Sequence, residues 1–587
     1  MRHQVFATLL AFGGILTTIP TATAQAPAAG TAAFNRLADE FFDQAYFKYA
    51  PTQGTLAGFH QYDHQLENFT RAGVDAQVAA LRSFEKKFAA VDAAGLDLTT
   101  QGDLALIQAN IQTTLLTLET IRPWEKNPDT YSTGITNSVF TLMERKFASP
   151  DERMRSAIAR EKQMPAALDA ARVNLKNPPR IYTEIALEQL PGDISFFKSD
   201  VPEAFKEAKD AKLRAEFAKS NAAVIAALEK YEEWLKSDLL PISNGDFRIG
   251  ADTFSKKLLY DEMVDTPLDK LLEIGYANLH RNQDEFRRIA KEVDAEKTSD
   301  QVLAELALNH PAPDHLLQSF RDTFDSLTGF IRSHHIITIP SDVRPTLEET
   351  PPFMRATTFA SMDTPGPFEK HATEAYFNVT LPGPHDTPEE IAGRMASFNI
   401  GTVVSTSVHE AYPGHYIQFL WVQNAPTKTR KLLGAATNAE GWAHYCEQMM
   451  LDEGYGQPGV GAKDEHDAKL IRLGQLQDAL LRNARFVVGI KMHSGQMSFD
   501  EAVDFFVKEG FQSREVATVE TKRGTSDPTY LYYTLGKLEI LKLRHDLEQK
   551  QGSAFSLEKF HDDFMRQGFP PIKIVRRALM GDDSPAL

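Results

Sequence analysis

Hydrophobic positions recur at helical spacing along most of the chain. After Thr266-Pro267, the residues Leu268, Leu271, Leu272, Tyr276 and Leu279 follow one face of a 3.6-residue repeat. Thr266 is the expected N-cap and Pro267 the expected first-turn proline. Ser149-Pro150 with Glu152, Thr387-Pro388 with Glu390, and Ser498 with Glu501 repeat this start signal in capping-box form. The charge-rich stretch from Glu203 to Lys236 reads as helices with solvated faces. No internal repeat at solenoid spacing is present.

One region departs from this pattern. Residues 337–386 hold 8 prolines in 50 positions, against 31 in the 587 of the whole chain, so no continuous helix fits there. Strands and loops are expected instead. Apolar and polar side chains alternate from Phe377 to Leu381, and the segment Tyr376 to Leu381 ends at Pro382-Gly383-Pro384, which predicts a strand. The expected fold is mainly α: a large two-lobed helical body with a central cleft and a small β insert. The divisions are residues 25–336 for a helical N-terminal half, 337–386 for the insert, and 387–587 for a helical half that carries the chemistry.

Composition narrows the function. With 42% hydrophobic and 24% charged residues the chain is globular, which excludes a disordered tail, a fibre or a small disulfide scaffold. Lys and Arg number 63 against 80 Asp and Glu, a net charge of -17 with no long basic run, so neither nucleic acid nor an anionic membrane surface is an expected partner. Arg2, the apolar run from Val5 to Ile19, Pro20 and the small residues Thr21 to Ala24 read as a signal peptide, residues 1–24, cleaved after Ala24. The mature protein is therefore expected to be periplasmic or secreted, with no membrane anchor. The single cysteine, Cys446, makes no internal disulfide and does not follow the export run, so lipid attachment there is not expected.

The chemistry concentrates between Val403 and Met450. His409-Glu410-Ala411-Tyr412-Pro413-Gly414-His415 is followed by Glu440-Gly441-Trp442-Ala443-His444. Zinc hydrolysis requires three N/O ligands, an open position for water, and a carboxylate beside that water. His409, His415 and Glu440 are the expected Zn2+ ligands and Glu410 the general base. On an unbroken helix, histidines six apart are rotated by roughly 120° and cannot share a metal. Pro413 and Gly414 predict a kink or widened turn that brings His415 back. The competing interpretation is a pair of satisfied core histidines around a kink.

His409 to His415, the later Glu440 to Tyr445, the early Gly58-Phe59-His60-Gln61-Tyr62-Asp63 and the late Pro528 to Arg544 together resemble a large family of bacterial proteins, often exported, catalogued as a domain of unknown function. That family is similar to gluzincin zinc metallopeptidases, and the resemblance runs over nearly the whole mature chain. It implies functional roles for His409, Glu410, His415 and Glu440.

Other residues complete the expectation. A tyrosine suits the developing oxyanion, Tyr533 first and Tyr530 second. Arg523 is a candidate for a substrate carboxylate. His444, four residues after Glu440, is placed to orient that ligand or touch substrate, and His493 to reach the cleft. His60 and His64 would suggest a second metal only with a third ligand. Cys446 reads as a small buried hydrophobe. The strand at Tyr376 to Leu381 offers an edge on which an extended peptide could pair. The expected function is an exported zinc metallopeptidase acting on peptides or short oligopeptides. A zinc hydrolase of another amide or ester, and a non-catalytic binding protein with a structural metal, are the alternatives.

Overall fold

The computed structural model describes residues 29–351, 354–355, 358–383 and 386–587; the expected signal peptide lies outside them. Side-chain caps start several of its helices. Ser149, Thr387 and Ser498 form complete capping boxes with Glu152, Glu390 and Glu501, opening the helices Pro150–Glu161, Pro388–Ala396 and Phe499–Lys508. A fourth box, Thr298 with Gln301, opens Ser299–Leu308. At α1 (Leu268–Val293) the start differs by one residue from expectation: Pro267 itself is the N-cap, its backbone already extended, and it forms no side-chain cap.

The β insert is one small sheet. Its strands are β1 (Thr346–Glu349), β2 (Ala360–Asp363) and β3 (Tyr376–Val379), in the order β1-β3-β2. β1 pairs parallel and β2 antiparallel with β3. The expected strand at Tyr376 is therefore central, with both edges already paired, and offers no edge to a peptide. Phe377 and Val379 are buried against α2 (Leu316–Ser333), where Phe320 meets the Phe377 ring edge-on at 5.2 Å.

The cores do not follow the division at residue 336. α2 contributes Leu316, Phe320, Phe324 and Leu327 to the same cluster as Phe377, Val408, Tyr412 and Trp442. α1 packs Leu279 and Phe286 against Leu470, Leu473 and Leu480. Two further cores, around Tyr131, Leu190 and Tyr231 and around Phe41, Phe88 and Ile107, belong mostly to the first 240 residues. Each fully buried aromatic or leucine contributes about 1.5–3 kcal/mol. Among the described residues no helix is long and apolar enough to cross a membrane.

Two glycine pairs set the frame of the site. α3 (Ile400–Glu410) crosses α6 (Glu465–His493) at Gly401 and Gly474, where a Cβ on Gly401 would lie 2.7 Å from the Gly474 Cα. α5 (Ala436–Asp452) crosses α8 (Tyr532–Gln551) at Gly441 and Gly536, where a Cβ on Gly441 would lie 2.6 Å from the Gly536 Cα. Any side chain at these crossings would force the backbones apart. Their closeness puts His409 beside the arginines of α6 and Glu440 beside the tyrosines of α8.

Candidate metal centre

His409 and Glu410 are the last two residues of α3, and His415 opens α4 (His415–Val422). Between them the helix stops. The N–H groups of Ala411 and Tyr412 both reach the Ser407 carbonyl, Pro413 has no N–H, and Gly414 donates to Val408. The Tyr412–Pro413 bond is cis. A Cβ on Gly414 would overlap the carbonyl oxygens of His409 and Val408, so only glycine fits at this turn. The expected kink within one helix is instead a break between two. It brings the His409 and His415 rings to 4.8 Å at 85° to each other.

Glu440 enters from α5. Its Oε2 lies 3.4 Å from His409 Nε2 and 3.3 Å from His415 Nε2, and one donor atom from each of the three residues lies within 4.8 Å of the others. Despite these distances, Glu440 Oε2 is buried and takes no hydrogen bond. The three atoms point at a shared position rather than at each other. Ligands placed tetrahedrally at about 2.0–2.1 Å from zinc would be about 3.3–3.4 Å apart. Donor types, separations and the orphaned carboxylate oxygen fit a zinc ion. Among the described residues this is the group of His, Cys, Asp and Glu side chains able to hold a metal. Burial opposes the charge on Glu440, but the two imidazoles outweigh it and hold its carboxyl well below the usual range. Burial likewise opposes charge on His409, and Glu440 with Glu447 outweighs it, lifting that pKa to about 9.

Behind the triad sits a carboxylate that motif spacing does not reveal. Glu447 Oε1 accepts from His409 Nδ1 at 2.7 Å, Oε2 accepts from His444 Nδ1 at 3.0 Å, and Arg482 adds an ion pair at 3.1 Å. Glu447 thereby takes the Nδ1 proton of His409 in a hydrogen bond, so that a metal replacing the proton on Nε2 would meet the lone pair there. Glu447 lies three residues after His444 and seven after Glu440, on one helical face, the signal that could have found it. His444 is fully buried and does not line the cleft. Its expected contact with substrate is corrected to support of Glu447. Burial pushes its pKa down to about 3, so it stays neutral.

His409 of the triad borders a cleft of about 1120 Å³ lined also by Glu410, Arg482, Arg485, Arg523 and Tyr533, with Ala360 and Ser361 of β2 on one wall. Glu410 makes no ion pair or hydrogen bond among the described residues. The Tyr533 ring lies 6.3 Å from the His409 ring, nearly parallel to it, and its hydroxyl accepts from Arg523 at 3.2 Å. Burial, then the nearby Glu440 charge, raises the Tyr533 pKa against the pull of Arg523 and Arg485, so its O–H is retained. Arg482 and Arg485, which sequence reasoning missed, enter from consecutive turns of α6. Arg485 is held in a bidentate pair with Glu520 at 2.6 and 2.8 Å.

Other expected residues lie elsewhere. Tyr530 is fully buried among Ala484, Val488 and Met492 and does not reach the cleft, because Gly489 and Gly524 admit its ring into the core. His493 is also fully buried, its Nε2 donating to the Gly524 carbonyl at 2.7 Å. His60 is taken up by Asp63 at 3.1 Å and Glu369 at 2.9 Å, His64 is exposed, and no third ligand joins them. Cys446 is buried, and burial raises its thiol pKa.

The fold matches solved structures over most of its length. A candidate lipoprotein of unknown function from Shewanella oneidensis shares 25% identity and a TM-score of 0.76, covering 94% of this chain and 100% of that one. A candidate lipoprotein from Colwellia psychrerythraea shares 17% identity and a TM-score of 0.77, covering 94% and 99%, a likeness of fold alone. No functionally curated protein matches. The family described as bacterial protein of unknown function (DUF885) matches residues 51–579, nearly the whole chain with His409, His415 and Glu440 inside it, and the protein belongs to that family.

Proposed function

We propose that this protein is an exported zinc-dependent hydrolase that cleaves peptides. The observation that carries the proposal is the convergence of His409 Nε2, His415 Nε2 and Glu440 Oε2 without hydrogen bonds among them, next to an uncommitted Glu410 at a large cleft. The similarity of the HEAYPGH and EGWAHY segments to gluzincin peptidases supports the reaction class. The description of two fold relatives as lipoproteins supports export.

His409, His415 and Glu440 would hold a zinc ion, which when bound would supply the Lewis acidity that lowers the pKa of water and polarises a carbonyl. Glu410 takes the proton from the attacking water and delivers it to the leaving amine. The retained Tyr533 hydroxyl donates to the oxygen on which negative charge develops. Glu447 keeps the His409 ring in place.

The test is direct. Purified protein should hold about one zinc per chain. Glu410→Gln should keep that zinc and lose turnover on a peptide library by about 10²–10⁴-fold. A protein with no zinc affinity, or a Glu410→Gln variant as active as wild type, would overturn the proposal.

A further inference from the structure

Three arginines stand around one tyrosine in the cleft, and they are not equivalent. The guanidinium carbons of Arg485, Arg482 and Arg523 lie 4.8, 5.6 and 5.7 Å from the Tyr533 ring centre. Arg485 has its counter-charge in Glu520, at two contacts of 2.6 and 2.8 Å. Arg482 has Glu447 at 3.1 Å and donates through Nη1 to the Asp478 carbonyl. Arg523 differs from both. Its contacts to Asp527 at 3.3 Å, Tyr532 at 3.1 Å and Tyr533 at 3.2 Å all use the single nitrogen Nη2. Asp527 is also committed to the Tyr532 hydroxyl at 2.8 Å and does not line the cleft. The Nε and Nη1 groups of Arg523 make no hydrogen bond among the described residues and are not sealed from solvent, and the side chain is 30% exposed.

From this arrangement we infer that Arg523 is the anchor for the free C-terminal carboxylate of a peptide, so that the protein trims chains from the carboxyl end. The inference rests on the peptidase reading and names its substrate class. Two uncommitted donors in fork geometry on a cleft-lining arginine match the two oxygens of a carboxylate, whereas a mid-chain peptide group carries no charge to add to the partial pairing that Asp527 supplies. Distance sets the product size. The His409 ring is 6.3 Å from the Tyr533 ring, which is 5.7 Å from the Arg523 guanidinium, so the anchor lies at most about 12 Å from that ligand ring. An extended chain covers about 3.3–3.6 Å per residue, so the bond over the metal triad is about one to three residues from the C-terminus. Tyr533 joins the two sites: its ring lies against His409 and its hydroxyl accepts from the anchor.

Binding and cleavage test the inference separately. With zinc-loaded Glu410→Gln protein, an N-acetylated hexapeptide ending in a free acid should bind about 10–100-fold more tightly than the same peptide amidated, the range for a charge-assisted hydrogen bond. Arg523→Ala in that background should abolish the difference, and Arg523→Lys should restore part of it. Equal binding of acid and amide, or a difference unchanged by Arg523→Ala, overturns the anchor. In active protein the free-acid peptide should release fragments of one to three C-terminal residues regardless of N-acetylation; cuts at interior bonds of a long amidated peptide at equal rate also overturn it. Should the acid be preferred in binding while no peptide is cut, the anchor stands and the peptidase reading falls. A circular dichroism melt of each variant confirms that it is folded.

Discussion

Glu447 commits each carboxylate oxygen to a different imidazole, and this makes it the residue on which the geometry of His409 depends. Burial alone would push its pKa up, but Arg482, His444 and His409 outweigh it and hold Glu447 ionised. Glu447→Gln keeps the shape and removes the charge. Its amide nitrogen cannot accept from an imidazole N–H, so one histidine loses its acceptor. Zinc affinity, read by competition with a chromophoric chelator, should fall about 10–100-fold, as outer carboxylates of metal histidines typically show. Unchanged affinity would mean that ring packing alone orients His409. Tyr533→Phe probes the other face of the site: zinc binding should stay as in wild type while kcat falls about 10²–10³-fold, the usual cost of one lost oxyanion donor. A kcat within a factor of two of wild type would remove Tyr533 from the chemistry. The two short motifs that supply His409, His415 and Glu440, with Glu410 beside the first, were legible in the sequence, and the structure brings the first three together. Glu447 belongs to neither motif, and with its main partner 38 positions away only its helical register with Glu440 and His444 pointed to it.

Helix crossings carry the ligands to each other, and they depend on the absence of side chains. At the α5–α8 crossing the backbone of Thr437 lies where a Gly536 side chain would go. Gly536→Ala should destabilise the fold by about 1–3 kcal/mol through overpacking. Because α5 carries Glu440 and α8 carries Tyr533, zinc release should accompany the loss in urea titrations followed by circular dichroism and by a zinc dye. A variant of wild-type stability would show that the crossing has slack. Element starts at Ser149, Thr387 and Ser498 were legible because the cap there is local. The start of α5 was not. Its N-cap, Ala435, has no capping side chain, and Glu262, from the helix Ala251–Glu262, accepts instead from the N–H groups of Ala436 and Thr437 at 3.2 and 2.9 Å. No local pattern encodes a cap 174 positions away. The strand at Tyr376 was legible from its alternation, but its central place in the sheet depends on partners that sequence spacing does not specify.

At the scale of the whole molecule, the acidity seen in composition divides into surface charge and a smaller set of carboxyls enclosed in the cores, and the second set couples stability to pH. Burial raises Glu161 to about 8, against hydrogen bonds from Ser220 and Asn221; it raises Asp193 to about 7, and Glu262 to about 7 with help from Asp261. All three are at most 3% exposed. In the unfolded chain these groups ionise near their ordinary values of about 3.9–4.3. Between there and about pH 8 the folded protein therefore binds more protons than the unfolded one, and stability declines as pH rises through that window. Glu520 acts in the opposite sense: burial is outweighed by Arg485, its pKa is lowered, and its contribution is lost as pH falls below the usual carboxylate range. These three carboxyls should weaken the folded state from pH 5 toward pH 8.5, while His444 and His561, held neutral by burial with pKa values of about 3, oppose them only below about pH 6.5. Glu161→Gln isolates the effect, because an amide keeps hydrogen-bonding atoms for Ser220 and Asn221 and has no charge to bury. With zinc in excess, its unfolding free energy from urea titration should match wild type at pH 5 and exceed it at pH 8.5, by an amount on the order of a few kcal/mol. A difference between the two proteins that stays flat from pH 5 to 8.5 would place the pH dependence in other groups.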